Sequence, residues 1–287
     1  MKIKKRTIKI TVLVLLVVLV AAWMLNQRIM SESWKISYPN RPVPNFKINL
    51  INDSGDIQIF AVEYDTKPFL NHPAKLHALL FKPKKKVPGL VLIPGGGVDK
   101  EGEFPLALQI SRWGYAVLTF DTRGVGQTGG YYLSFEDDKK VFDGGSEPVQ
   151  HLLVYDALVS FDVLSEIDGV ENVAIAGESM GGRAAIIAAS VEPEIKGLVI
   201  ISSSGYHASK DADKYFRSID PDQYIKSIQR PLFFLHGSND SVIPLEDAQY
   251  THSLVEQTPF FVAYGCGHGY CKAMETELKA NLEHIFK

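Results

Sequence analysis

The sequence predicts an α/β fold, a mostly parallel central sheet flanked by helices. Three observations predict it. From Leu90 onward, short apolar runs alternate with helix-length segments. Most of these runs lack polar alternation, as strands covered on both faces do. A glycine-rich turn, Gly177–Gly181, joins one such run directly to a helix-like segment. Strands are expected at Ile57–Tyr64, Leu76–Phe81, Leu90–Ile93, Tyr115–Phe120, Val173–Ala176, Leu198–Ile201, Leu232–Leu235 and Phe260–Tyr264. Helices are expected at Phe104–Trp113, Val149–Glu166, Met180–Val191, Leu245–Glu256 and Lys272–Ile285. Leu76–Phe81 and the strand before it should form an antiparallel edge. The charged, glycine-containing stretch Ser134–Glu147 reads as a solvated loop, and no internal repeat is present.

A length of 287 residues allows one large domain or two small ones. With 46% hydrophobic and 22% charged residues, the chain is not of the disordered, collagen-like or disulfide-miniprotein kind. The net charge of −3 conceals an asymmetry. Residues 1–30 hold six of the 30 basic side chains and no acid, which leaves 24 against all 33 acids in residues 31–287, a balance of −9 there. A body so acidic argues against nucleic-acid binding.

The cations at Lys2–Lys9 precede an apolar run within Ile8–Leu25. Ile10–Leu25 as a helix would extend roughly 24 Å, short of a hydrocarbon core of about 30 Å but within what local thinning accommodates. The expectation is a signal-anchor with its N-terminus in the cytoplasm. The alternative is a cleaved signal peptide, for which Val20-Ala21-Ala22 supplies small residues. No cysteine closes the run, so a lipoprotein anchor is excluded. Either reading places residues 31–287 outside the cytoplasm. Residues 31–50, with Pro39, Pro42 and Pro44, read as a linker, and residues 51–287 as the catalytic domain.

The most specific local signal is Gly177-Glu178-Ser179-Met180-Gly181, a G-x-S-x-G pattern between strand Val173–Ala176 and helix Met180–Val191. A nucleophilic serine at such a tight strand-to-helix turn needs small neighbours, and the helix N-terminus favours developing negative charge. Here the chain resembles the α/β-hydrolase superfamily, over about Leu76–Phe286. The resemblance implies a nucleophile, acid and histidine in that chain order.

The family places an aspartate after the penultimate strand in a G-x-x-D-x-x-x-P setting, and Asp240 in Gly237–Pro244 matches it. The family's histidine loop corresponds to His268, between Gly267 and Gly269 after the last strand. The closest rival, His236, abuts the strand carrying the acid loop and reads as a polar cap. After strand Leu90–Ile93 the family commonly carries His-Gly; here Pro94 stands first, followed by Gly95-Gly96-Gly97. The oxyanion donors implied are the backbone N–H groups of Met180 and of Gly96 or Gly97.

Two patterns are set aside. Gly124–Gly129 matches G-x-G-x-x-G, but loop-like sequence follows it where a helix should open. The stretch Asp121–Gly126 resembles instead the D-x-R-G-x-G loop of α/β-hydrolases, which implies a structural role for Asp121 and Arg123. Cys266-x-His268-x-x-Cys271 lacks a fourth ligand nearby and makes a poor zinc pattern. In an exported protein, Cys266 and Cys271 are expected to pair as a disulfide.

The sequence thus predicts a serine hydrolase acting on an acyl or ester bond through Ser179, Asp240 and His268, with no cofactor and no metal. Serine peptidase, aminopeptidase and thioesterase activities are the alternatives on the same fold. A non-catalytic, membrane-tethered binding protein is the alternative from another class. A small lid is expected at about residues 203–229, where Tyr206, Tyr215, Phe216 and Tyr224 either line an acyl pocket or pack the lid onto the sheet.

Overall fold

Nine strands form one sheet among the described residues: β1 (Phe46–Ser54), β2 (Ile57–Phe69), β3 (His72–Pro83), β4 (Val87–Ile93), β5 (Ala116–Phe120), β6 (Val170–Glu178), β7 (Leu198–Ile201), β8 (Leu232–Gly237) and β9 (Phe260–Ala263). The structure is a computed structural model describing residues 14–15, 17–21, 34–70, 72–209, 211–255 and 258–287. Strand order is β1-β2-β3-β5-β4-β6-β7-β8-β9. Pairing is antiparallel among β1, β2, β3 and β5, and parallel from β5 through β9. The chain leaves β4 toward β5 on one side and returns to β6 on the other. The carboxyl end of β4 is therefore a topological switch point, where open α/β sheets form their crevices.

The helices are α1 (Phe104–Arg112), α2 (Phe135–Asp143), α3 (Val149–Ser165), α4 (Met180–Val191), α5 (Lys214–Ile219), α6 (Leu245–Ser253) and α7 (Glu275–Ile285). The lack of polar alternation has the predicted cause. Leu90, Val91, Leu92 and Ile93 are all fully buried, although successive side chains point to opposite faces. Leu90 and Leu92 join Leu106 and Ile110 of α1 and Leu278 and Leu282 of α7 in one cluster. Helices α3 and α4 pack on the sheet through β4, β6 and β7.

Three expectations are corrected. The lead-in ends sooner than residue 50, because Phe46–Leu50 already pair with Tyr64–Phe60 of β2. Upstream of that strand, Arg41 donates to Asp162 on α3 at 3.0 Å and to Glu192 beyond α4 at 2.6 Å, which pins the proline-rich segment. Two units are separable, Met1–Lys35 and Ile36–Lys287, so most of the expected linker belongs to the larger one. Second, Ser134–Glu147 is not simply loop. Ser134 caps α2 by accepting from the Asp137 N–H, and Glu136, Asp137 and Asp138 occupy the helix's first turn, where the dipole favours acids. Third, α6 ends at Ser253, earlier than expected.

The anchor expected within Ile8–Leu25 lies mostly outside the described residues. Val14, Leu15 and Val17–Ala21 are helical, and among the described residues no helix is long and apolar enough to cross a membrane.

One buried ion pair ties the loop after β5 to α3. Arg123 donates from Nε and Nη2 to Asp156 at 2.7 and 2.8 Å, and Thr66 on β2 donates to the same carboxylate at 2.5 Å. Both charged side chains are almost completely buried. Removing one partner strands the other's charge, so Asp156→Ala should lower unfolding free energy by about 3–5 kcal/mol in urea titration. The double replacement Arg123→Met, Asp156→Leu should recover most of that loss.

Candidate active site

Ser179 follows β6 directly and holds φ 52° and ψ −114° as the residue before α4. A non-glycine residue held there costs on the order of 1–3 kcal/mol, so the surroundings must enforce it. They do so by close backbone approach. A Cβ at Gly177 would meet Gly181 O at 2.3 Å, and one at Gly181 would meet Ile93 O at 2.2 Å. Ser179 N–H still continues the sheet ladder to Ile201 O at 2.9 Å, and Ser203 Oγ donates to Ser179 O at 2.6 Å. The side chain is thereby presented at the carboxyl end of β6, beside the first free N–H groups of α4, including that of Met180.

Asp240 stands three residues after β8, 8% exposed. Its Oδ1 accepts the N–H groups of Val242 and Ile243 at 2.9 and 2.8 Å. Burial alone would raise its carboxyl, but those two donors and His268 hold it below the usual carboxylate range. His268 Nδ1 lies 2.9 Å from Asp240 Oδ2 and 3.0 Å from Oδ1. An ionised carboxylate only accepts, so Nδ1 carries a proton; in the neutral imidazole that tautomer leaves the lone pair on Nε2. A Cβ at Gly237 would meet Gly267 O at 2.2 Å, so that glycine lets the histidine loop lie against the end of β8. A disulfide joins Cys266 and Cys271 across the same loop. His236 is nearly fully buried and donates from Nε2 to Ile243 O at 3.0 Å; burial lowers its pKa, which suits a neutral cap.

Ser179 and His268 line one cleft of about 420 Å³, together with Gly95, Gly96, Met180 and Tyr132. The structure thus gathers Ser179, Met180, Gly96, His268 and, behind His268, Asp240. Gly96 sits against Met180, within 3.7 Å of its Sδ for an added Cβ, whereas Gly97, at φ +76°, does not line the cleft. The glycine loop is held from below. Lys100 donates from N and Nζ to Asp121 at 2.8 Å each, and Gln127 N donates to the same carboxylate at 2.7 Å. A larger cleft, about 640 Å³, is lined by Leu232 and Phe233 at the amino end of β8 and by none of these residues.

Of the four aromatics expected in a lid, Tyr215 and Tyr224 pack inside and do not line the cleft. Tyr215 is fully buried and donates to Asp138 at 2.9 Å, and Tyr224 donates to Ser218 O at 2.8 Å. The wall comes instead from the stretch expected to be loop, through Leu133, Ser134 and Phe135. Sequence reasoning also passed over two acids. Glu178, just before Ser179, accepts Tyr270 N–H at 3.0 Å. Glu103, just before α1, is 5% exposed.

Fold and turn together define an α/β hydrolase. Residues 76–281 match the dienelactone hydrolase family, and the chain belongs to it. It is an esterase-like hydrolase. Among solved structures, it is similar to acetyl xylan esterase 1 from Thermoanaerobacterium sp. JW/SL YS485, with 16% identity over 85% of this chain and 89% of that one and a TM-score of 0.71. It is also similar to an acetyl xylan esterase from Paenibacillus sp. R4, with 18% identity over 92% and 93% and a TM-score of 0.68. A third likeness is to ferulic-acid-bound Est1E from Butyrivibrio proteoclasticus, with 20% identity over 74% and 95% and a TM-score of 0.58. No protein of curated function matches the chain in sequence.

Burial, and next the Glu178 carboxylate, push Glu103 up to about 8. Glu103 therefore binds more protons folded than unfolded between the ordinary glutamate value, about 4.3, and about 8, so its contribution to stability falls as pH rises through that window. Glu103→Gln removes this term. The stability of the variant relative to the parent should rise from about pH 5 to pH 8 in denaturant midpoints, with no further gain above that range.

Proposed function

We propose that this protein is a serine esterase that cleaves a small carboxylic ester through an acyl-enzyme. The observation that carries the reading is the Asp240–His268 pair in a cleft shared with the strained Ser179. In this mechanism His268 Nε2 takes the Ser179 proton as Oγ attacks the carbonyl, and Asp240 stabilises the imidazolium. The N–H groups of Met180 and Gly96 receive the tetrahedral oxyanion; one such donor contributes about 2.7–4 kcal/mol. His268 then gives its proton to the leaving alcohol, and a water activated by the same base releases the acid. The esterases among the fold neighbours support the ester class.

Ser179→Ala should abolish labelling by a fluorophosphonate probe and hydrolysis of nitrophenyl esters. Undiminished labelling of that variant would refute Ser179 as nucleophile. Asp240→Asn should keep the fold and reduce kcat by about 10⁴, as loss of the correct histidine tautomer does.

The proposed location is outside the cytoplasm, behind an N-terminal anchor. The basic residues ahead of an apolar run support it, as does the Cys266–Cys271 disulfide, which persists in oxidising compartments. In spheroplasts of a bacterial host, added protease should digest the body of the full chain, and a chain lacking residues 1–30 should be protected. Protection of the full chain would place the body inside.

A further inference from the structure

Beside the catalytic cleft lies a second one, about 260 Å³, with Val98, Glu178 and His268 as shared walls and Glu103, Gln109 and Tyr270 beyond them. We propose that this second cleft receives the leaving alcohol of the ester and selects an alcohol that carries a protonated amine. The proposal rests on the esterase reading.

The position follows from the chemistry of the acyl-enzyme step. The proton that expels the alcohol comes from His268, so the leaving oxygen sits at the imidazole and its substituent extends past it. The cleft that has His268 as a wall and continues away from Met180 takes that substituent. The acyl half then faces Tyr132, Leu133 and Gln150 on the other side.

The selectivity follows from the walls. Glu178 spends Oε2 on the Tyr270 N–H. Glu103 is 5% exposed; its backbone carbonyl accepts the Ala107 N–H, but its carboxyl has no hydrogen bond or ion pair with any described residue. Among the described residues, no lysine or arginine lines the cleft. The nearest cations in sequence, Lys100 and Lys272, are held by Asp121 and Glu101 and by Glu275 respectively. Asp240, behind His268, adds a further negative charge, and Tyr270 and Gln109 are the remaining polar groups of the walls. Two buried carboxyl groups side by side cannot both ionise cheaply unless a cation joins them. An ammonium group supplies that charge. Its N–H bonds to carboxylates are charge-assisted, the strong kind. A neutral diol would find acceptors here but leave the negative charge uncompensated.

Binding of the amine should therefore expel the Glu103 proton to solvent, with the ammonium taking its place as the neutralising charge. Cation preference should then strengthen as pH rises toward about 8, where Glu103 ionises unaided. Glu178 is the charged group that acts on Glu103 in this titration, and His268 and Tyr270 are the other titratable groups of the cleft's lining.

The test compares kcat/KM of the wild-type full chain for three esters of one acyl group: 2-(dimethylamino)ethyl, its uncharged isostere 3-methylbutyl, and 2,3-dihydroxypropyl. The acyl group is the one favoured in a nitrophenyl ester panel run alongside fluorophosphonate labelling. The charged ester should lead its isostere by about tenfold or more, and by less at lower pH. In Glu103→Gln that ratio should fall several-fold. If the variant does not fold, the wild-type ratio and its pH dependence still decide. Equal rates for the charged ester and its isostere would overturn the subsite while leaving the esterase reading intact. A lead for the dihydroxypropyl ester would overturn the choice of an amine. Absence of both labelling and nitrophenyl ester hydrolysis would overturn the esterase reading, and this inference with it.

Discussion

One backbone turn constrains the rest of this structure. Ser179 adopts a positive φ between a strand and a helix, and that conformation survives only where three backbones meet without side chains between them. The carbonyl of Ile93 at the end of β4, the start of α4 and the end of β6 close on one another at Gly177 and Gly181. The contact that enforces the turn also brings the Gly95–Gly97 loop beside the serine, since that loop leaves β4 at the same place. A Cβ at Gly95 would lie 3.7 Å from Ser179 Cβ. Ser179 and the glycine loop after β4 are therefore set by a single packing event at the switch point of the sheet.

Electrostatics then separates the acids around that turn. Asp240, Glu178 and Glu103 are all substantially buried, yet their carboxyl groups move in opposite directions. Asp240 is given backbone donors and an imidazole, which outweigh burial and keep it charged. Glu178 has one backbone donor, and burial still prevails. Glu103 has none, and rises furthest of the three, to about 8. Supply of N–H groups, more than depth, decides which acid can work as an anion opposite His268. Acids whose surroundings push their pKa values apart in this way commonly serve different tasks.

What was legible in the sequence was what local chemistry determines. Buried parallel strands are runs such as Leu90–Ile93, and the turn at Ser179 demands glycines that appear as a pattern. Asp240 and His268 were legible because each follows a strand end in a loop of distinctive composition. What was not legible depended on distant partners. Helix α2 hides in charged sequence because, beyond its local cap and ion pairs, Asp138 is tied to the Val149 and Gln150 N–H groups of α3 and to the Tyr215 hydroxyl of α5. Arg41 looked like part of a linker because Asp162 and Glu192 are far away in sequence. Glu178 was read only as the variable position of the G-x-S-x-G pattern, since its partner at Tyr270 is visible only in three dimensions.

The same division separates chemistry from selectivity. Ser179 follows β6 directly, and Asp240 and His268 stand in the short loops that follow the carboxyl ends of β8 and β9. The walls are built from segments with no strand of their own: Leu133–Phe135 before and within α2 on one side, Glu103 before α1 on the other. Asp138 joins the first wall to α3 and, through the Tyr215 hydroxyl, to α5. That wall is thus set by a three-helix junction rather than by the sheet. The second wall is set by the loop that Lys100 clamps to Asp121. A substitution in either wall can change what is bound without disturbing the turn at Ser179, because neither wall shares the glycine contacts that hold it. Under the proposed esterase reading, selectivity is for that reason separable from catalysis, and the two unequal walls, one carrying Leu133 and Phe135 and one acidic, would give the acyl and alcohol halves of an ester different surroundings.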